Sequence, residues 1–205
     1  MGELFSVASV ESWGQFDRWT DIDVFLLAGE KGVDSAEIEW WPSEVAESTV
    51  ADNFSVRVGV VVPHRDPKEG SVSPYICARD LPSKGEHRAE ERTRRHTGTR
   101  FDPPFVAIRR TSRPTVDGQR LIPTLVRGTE PILVENHLIV CVPHDGTVAR
   151  CKELIGTMTS AATTDIINQR IRCRHLTVSS IREIPFQPRL PTRGAKRNRM
   201  PKPPN

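Results

Sequence analysis

Residues 131–160, PILVENHLIVCVPHDGTVARCKELIGTMTS, decide how this chain folds. Residues 132–142 read as a strand, an apolar run interrupted in its middle by Glu135, Asn136 and His137. Polar groups inside a strand are costly unless they are paired or used, so this E-N-H triplet has a job. The period then changes. Over 147–160, Val148, Cys151, Leu154, Ile155 and Met158 fall on one face of a helix, and Asp145-Gly146-Thr147 supplies the turn and N-cap.

Upstream the pattern stays strand-like. Residues 54–62, FSVRVGVVV, alternate and are rich in valine, with Gly59 placed for a bulge. Residues 75–79, 105–110 and 121–127 are further strands. Between them, 82–99 carries the mixed-charge run KGEHRAEERTRRH with little apolar content, which predicts a flexible loop or an exposed helical turn. Downstream, Thr163 or Thr164 starts a second helix with Ile166, Ile167 and Ile171 inward. Thr177 caps a last turn, VSSIREI, that ends at Pro185. Strands followed by helices indicate an α+β domain: a curved mixed or antiparallel sheet, then two to three short helices.

Charge divides the chain of 205 residues, whose net charge is only +3. Residues 1–50 hold eleven acids against Arg18 and Lys31, and read as an acidic N-terminal arm suited to docking a protein partner. Within the arm, 17–27 fits either a short helix or a strand, and Trp40-Trp41-Pro42 is an apolar patch. Residues 187–205 form a proline-rich tail with Arg189, Arg193, Lys196, Arg197, Arg199 and Lys202 and no acid, which predicts disorder. The domain between, 51–186, is net basic and favours an acidic partner, above all nucleic acid.

Several classes of function are excluded. The N-terminus is neither a signal peptide nor a membrane span. Cys77, Cys141, Cys151 and Cys173 form no C-x-x-C pair, and Cys173 with His175 is too small a set for zinc. Reduced, buried thiols and a cytoplasmic location are expected. There is no G-x-S-x-G elbow, P-loop or H-E-x-x-H. Asp102-Pro103-Pro104-Phe105 matches the D-P-P-F form of the motif of amino-methylating DNA methyltransferases. It follows HTGTR rather than a buried strand, however, and no Gly-rich strand–turn–helix accompanies it to bind S-adenosylmethionine. A Pro-Pro lead-in to a strand is the simpler reading.

Basic residues cluster in two places. Arg109, Arg110, Thr111, Ser112 and Arg113 lie at a strand end, and Arg170, Arg172, Arg174 and His175 lie around the end of the second helix. Arginine forks suit guanine edges and phosphates, and Thr and Ser donate to phosphate oxygens. Each alone has an internal alternative; Arg172 and Arg174 could pair with Glu135.

Three stretches in this order, PPFVAIRRTSRP (103–114), VENHLIVCVP (134–143) and IRCRHLTVSSIREIP (171–185), resemble the C-terminal target-recognition region of bacterial N6-adenine DNA methyltransferases of restriction-modification type. FSVRVGVVVP (54–63) resembles the opening strand of the same region. The resemblance covers about 54–186 and implies sequence-specific binding of double-stranded DNA. It also implies a separate catalytic methyltransferase subunit or domain that holds S-adenosylmethionine, with no cofactor, metal or catalytic residue in this chain. On that reading Arg109, Arg110, Thr111, Ser112, Arg113, Arg172, Arg174 and His175 contact DNA. Glu135, Asn136 and His137 organise loops, so His137→Ala should harm folding and Arg110→Ala should harm binding. The competing readings are a metal-dependent nuclease using Glu135 and His137, and a protein-interaction module working through the N-terminal arm.

Overall fold

The computed structural model describes residues 6–15, 23–30, 46–90, 92–111, 119–170 and 175–188. In chain order the elements are β1 (Ser6–Gln15), β2 (Asp23–Glu30), α1 (Val50–Asn53), β3 (Phe54–Val58), β4 (Ser71–Ile76), β5 (Glu86–Arg88) and β6 (Thr93–His96). There follow β7 (Phe105–Arg109), β8 (Pro123–Arg127), β9 (Leu133–Val134), β10 (Leu138–Pro143), α2 (Val148–Met158), α3 (Ala161–Arg170) and α4 (Val178–Arg182). The class is α+β. β1 and β2 pair antiparallel, so the ambiguous segment 17–27 contributes the start of a strand. Trp40-Trp41-Pro42, Cys173, Ile171 and residues 189–205 lie outside the described residues.

Two sheets carry the rest. One has five strands in the order β3-β10-β7-β8-β5, and the other has three in the order β6-β4-β9. β7 and β10 are central and buried on both faces, which is why they read as continuous apolar runs. Their alternation feeds two cores. Val106, Ile108, Ile139 and Cys141 pack against Cys151, Leu154 and Met158 of α2, and against Ile181 of α4. Phe105, Ala107, Leu138 and Val140 point the other way and meet Ile76 of β4, Val134 of β9 and Leu81. The molecule therefore layers helices, a five-stranded sheet and a three-stranded sheet.

The helix starts follow their caps. Thr147 Oγ1 accepts the Arg150 amide at 3.2 Å, and Thr177 Oγ1 accepts the Ser180 amide at 3.2 Å. Ser160, rather than Thr163 or Thr164, precedes α3, and its Oγ accepts the Thr163 amide. Thr163 itself is buried and donates to the Thr157 carbonyl at 2.7 Å. Ile167 is buried and Ile166 half-buried.

Three expectations are corrected. The run 132–142 is two strands, because Asn136 and His137 form a turn between β9 and β10. The polar triplet thus sits where backbone can reach other loops, not inside a ladder. The charged run 82–99 is neither a loop throughout nor a helical turn, since it supplies β5, parallel to β8, and β6, antiparallel to β4. Gly59 is not a bulge in β3. It lies where the chain leaves the large sheet for the small one: its amide bonds the Leu138 carbonyl, and two residues on Val61 pairs with Glu135. A Cβ at 59 would lie 2.1 Å from the Glu135 carbonyl oxygen, so only glycine permits this crossing.

Candidate nucleic-acid interface

Alternation along β7 separates the arginines that the sequence places together. Arg109 turns toward the small sheet, where Nε donates to the Ala78 carbonyl at 3.1 Å and Nη2 donates to the Leu81 carbonyl. Arg110 turns toward the β9–β10 turn and donates from Nη1 to the Asn136 carbonyl at 3.1 Å. Its Nε is buried without a hydrogen-bond partner, as is Asn136 Oδ1. Both guanidinium groups are half-buried, and both support neighbouring backbone. Thr111 is exposed and its Oγ1 lies 3.1 Å from Nδ1 of His175, also exposed, with the two residues joined in an isolated bridge. Ser112, Arg113, Arg172 and Arg174 lie outside the described residues, as does the side chain of Arg170. The described residues flanking them, Thr111 and His175, are adjacent.

Glu135, Asn136 and His137 divide the work of organising loops. Glu135 Oε2 accepts the Ala78 amide at 2.7 Å. The Asn136 amide donates to the Val61 carbonyl at 2.8 Å. His137 contributes only its carbonyl, which accepts the Arg110 amide. Its ring is exposed and has no hydrogen-bond partner among the described residues. The expectation that His137→Ala harms folding therefore has no side-chain hydrogen bond among the described residues behind it.

Together these residues fix the loop 77–81. Glu135 holds it from one side and Arg109 from another. Internally, Asp80 Oδ2 accepts the Cys77 amide at 3.1 Å and the Cys77 thiol at 3.0 Å. Burial and the adjacent Asp80 push the Cys77 thiol up, so it stays a protonated donor. Asp80 Oδ1 then reaches outward to Arg92 at 3.1 Å. A loop fixed by charged hydrogen bonds presents exposed Arg79 and tethers Arg92.

Arg92 opens onto a cleft of about 410 Å³ beside edge strand β6. Among the described residues the cleft is lined by Lys68, Val72, Tyr75, Arg92, Thr93, Arg94 and Arg95, four cations, of which Arg92 is paired with the Asp80 carboxylate at 3.1 Å. Each arginine is anchored from behind. Arg94 Nη2 donates to the Asp66 carbonyl at 3.0 Å, and its guanidinium carbon stands 5.8 Å from the Tyr75 ring centre. Arg95 Nη1 donates to the Gly70 carbonyl at 3.1 Å. Burial, with Glu135 second, pushes Tyr75 up to about 12, so its hydroxyl remains a neutral donor at physiological pH. The larger cleft, about 670 Å³, lies on the helical layer and holds one cation, Lys152, beside Glu153, which pairs with Arg150 at 2.8 Å.

The ground beneath the cleft is fastened by β6 as well. His96 Nδ1 accepts the Gly98 amide at 2.8 Å, which leaves its proton on Nε2, 3.0 Å from Asp66 Oδ2. Asp66 also accepts the Val62 amide at 2.7 Å, and that bond leads the causes that hold its carboxyl below the usual aspartate value. Sequence reading missed this whole site, because it took the segment carrying Arg92, Arg94 and Arg95 for a loop.

The described residues hold no group of three or more His, Cys, Asp or Glu that could take a metal ion. Asp102 is exposed, and the Pro103-Pro104 pair simply leads into β7. Burial pushes the Cys141 thiol far above its ordinary value and the Cys151 thiol to about 12, which removes both as nucleophiles near neutrality. No helix among the described residues is long and apolar enough to cross a membrane. No protein-family description matches this chain, and no curated protein matches its sequence.

Proposed function

We propose that this chain is a sequence-specific DNA-binding module, of target-recognition type, that acts with an N6-adenine DNA methyltransferase of a restriction-modification or phage-defence system. The observation that carries the DNA half of this reading is the cleft with Lys68, Arg92, Arg94 and Arg95 around it. Three anchored arginines and Lys68 in one concavity suit the regularly spaced charge of a phosphate backbone. The methyltransferase half rests on the resemblance of 103–114, 134–143 and 171–185. In that role the partner binds S-adenosylmethionine and performs the methyl transfer, while this chain supplies the DNA site.

The test is titration of a labelled duplex by fluorescence anisotropy at several salt concentrations. Contact of the cleft with about three to four phosphates contributes about −2.7 to −3.6 to the log–log salt slope. An affinity that does not change between low and high salt would overturn the reading. The partnership is tested by co-expression with a methyltransferase subunit that lacks its own recognition region: adenine methylation should need both chains, and methylation by that subunit alone at the same sites would sink it.

A further inference from the structure

The antiparallel pair β4–β6 has a geometry that goes beyond phosphate binding. Its register sets Val72 opposite Arg95 and Pro74 opposite Thr93. Residues directly opposite in an antiparallel ladder share a face, so these four side chains line one surface of a two-stranded ribbon. Arg95 and Thr93 are exposed. Val72 is 53% exposed and stands out among the described residues as the large apolar side chain left in water. The opposite face is closed. Ser73 is buried there, and Arg100 fastens the ribbon from behind, donating from Nε to Ser73 Oγ at 2.6 Å and from Nη2 to the His96 carbonyl at 3.0 Å.

We infer that this ribbon is the base-reading element, entering the DNA major groove with Arg95 on a guanine edge and Val72 on a thymine methyl. This rests on the DNA-binding reading above and assigns its sequence-reading residues. Two strands lie about 4.8 Å apart, and a major groove about 12 Å wide admits such a ribbon. Arg95 spends Nη1 on the Gly70 carbonyl, which fixes the stem and leaves Nε and Nη2 to face guanine O6 and N7 as a fork. Lys68 and Arg92 line the same cleft as the ribbon and are the cations left to meet phosphates. Glu90 and Glu130 share a second cleft with Val72, Pro74 and Thr93 but not with Arg95, so they bias the DNA toward Arg95.

The rival explanation is that Arg94 and Arg95 merely guard an exposed sheet edge against strand pairing. Selection from a pool of randomised duplexes, using the full chain, separates the two. The wild type should enrich a motif that contains a guanine. Arg95→Ala should keep affinity for the pool within a few-fold yet lose about 10- to 100-fold of discrimination at that guanine. Arg95→Lys, which keeps the charge but not the fork, should lose the same preference. Val72→Ala should relax a neighbouring thymine preference. Lys68→Ala should weaken all sequences alike and flatten the salt slope by about one. Circular dichroism of each variant checks that it folds. A motif left intact by Arg95→Ala and Val72→Ala overturns the inference but leaves DNA binding standing, as does wild-type binding without any motif. Absence of duplex binding by the wild type overturns both.

Discussion

Arg109 and Arg110 are adjacent and chemically identical, yet they support different loops because successive strand residues face opposite ways. Arg109 closes two carbonyls of the 77–81 loop, so Arg109→Ala strands both and releases the loop that tethers Arg92. Hydrogen bonds from a charged donor are worth more than neutral ones, and the loss should reach roughly 2 kcal/mol in urea unfolding. Duplex affinity should fall with it through the freed Arg92. Arg110→Ala should act first on stability, by removing the bond to Asn136, rather than on binding alone. His137→Ala makes the opposite case. With an exposed ring and only its carbonyl in use, it should shift stability by less than about 0.5 kcal/mol in the same assay. Within the triplet, Glu135 and the Asn136 backbone bond neighbouring loops, whereas the His137 ring bonds none of the described residues.

Elements differ in how far their sequence reveals them. β7 and β10 are legible because burial on both faces demands uninterrupted apolar side chains. α2 and α4 are legible because cap and apolar stripe agree. β6 is not, since Thr93-Arg94-Arg95-His96 has no apolar signal at all. It is a strand because β4 offers it a ladder and because Asp66 and Pro63 accept from half-buried Arg94 while Gly70 accepts from exposed Arg95. The cleft was hidden for the same reason: its cations become a site only once the strand exists. Asp66 is the key of that arrangement, and its folded carboxyl is held below the ordinary value of 3.8. A group depressed in the folded state contributes stability that is fully present above its unfolded value and is lost as pH falls through its folded value. Unfolding measured at about pH 6 and again below about pH 3 should therefore show a stability loss that Asp66→Asn reduces, since Asn keeps its shape but does not titrate; the remainder belongs to other depressed carboxyls such as Asp52 and Asp145. Equal pH dependence in the two proteins would remove Asp66 from this role. Gly59 governs the neighbouring crossing. Gly59→Ala drives a methyl into the Glu135 carbonyl and should destabilise by about 1–3 kcal/mol or more, read from the same denaturant midpoints.

At the scale of the whole molecule, the five-stranded sheet separates two surfaces with different tasks. Helices cover one face, and the three-stranded sheet with its cationic cleft covers the other. Because β7 and β10 feed both cores, a change in either core is felt across the sheet, and the cleft is held by the whole domain rather than by its own small sheet. Charge adds a second level of organisation. Residues 1–50 carry nine more acids than bases, and residues 187–205 carry six bases and no acid, so the chain has an acidic and a basic end on either side of a basic middle. Nucleic acid attracts the basic end without reading sequence, whereas the anchored cations of the cleft act at fixed positions. Changing Arg189, Arg193, Lys196, Arg197, Arg199 and Lys202 together to Gln should therefore weaken all duplexes by a similar factor and flatten the salt slope. It should leave any selected motif unchanged, because on this reading the sheet and not the basic end reads the sequence. Loss of the motif on this change would move sequence reading from the sheet to the basic end of the chain.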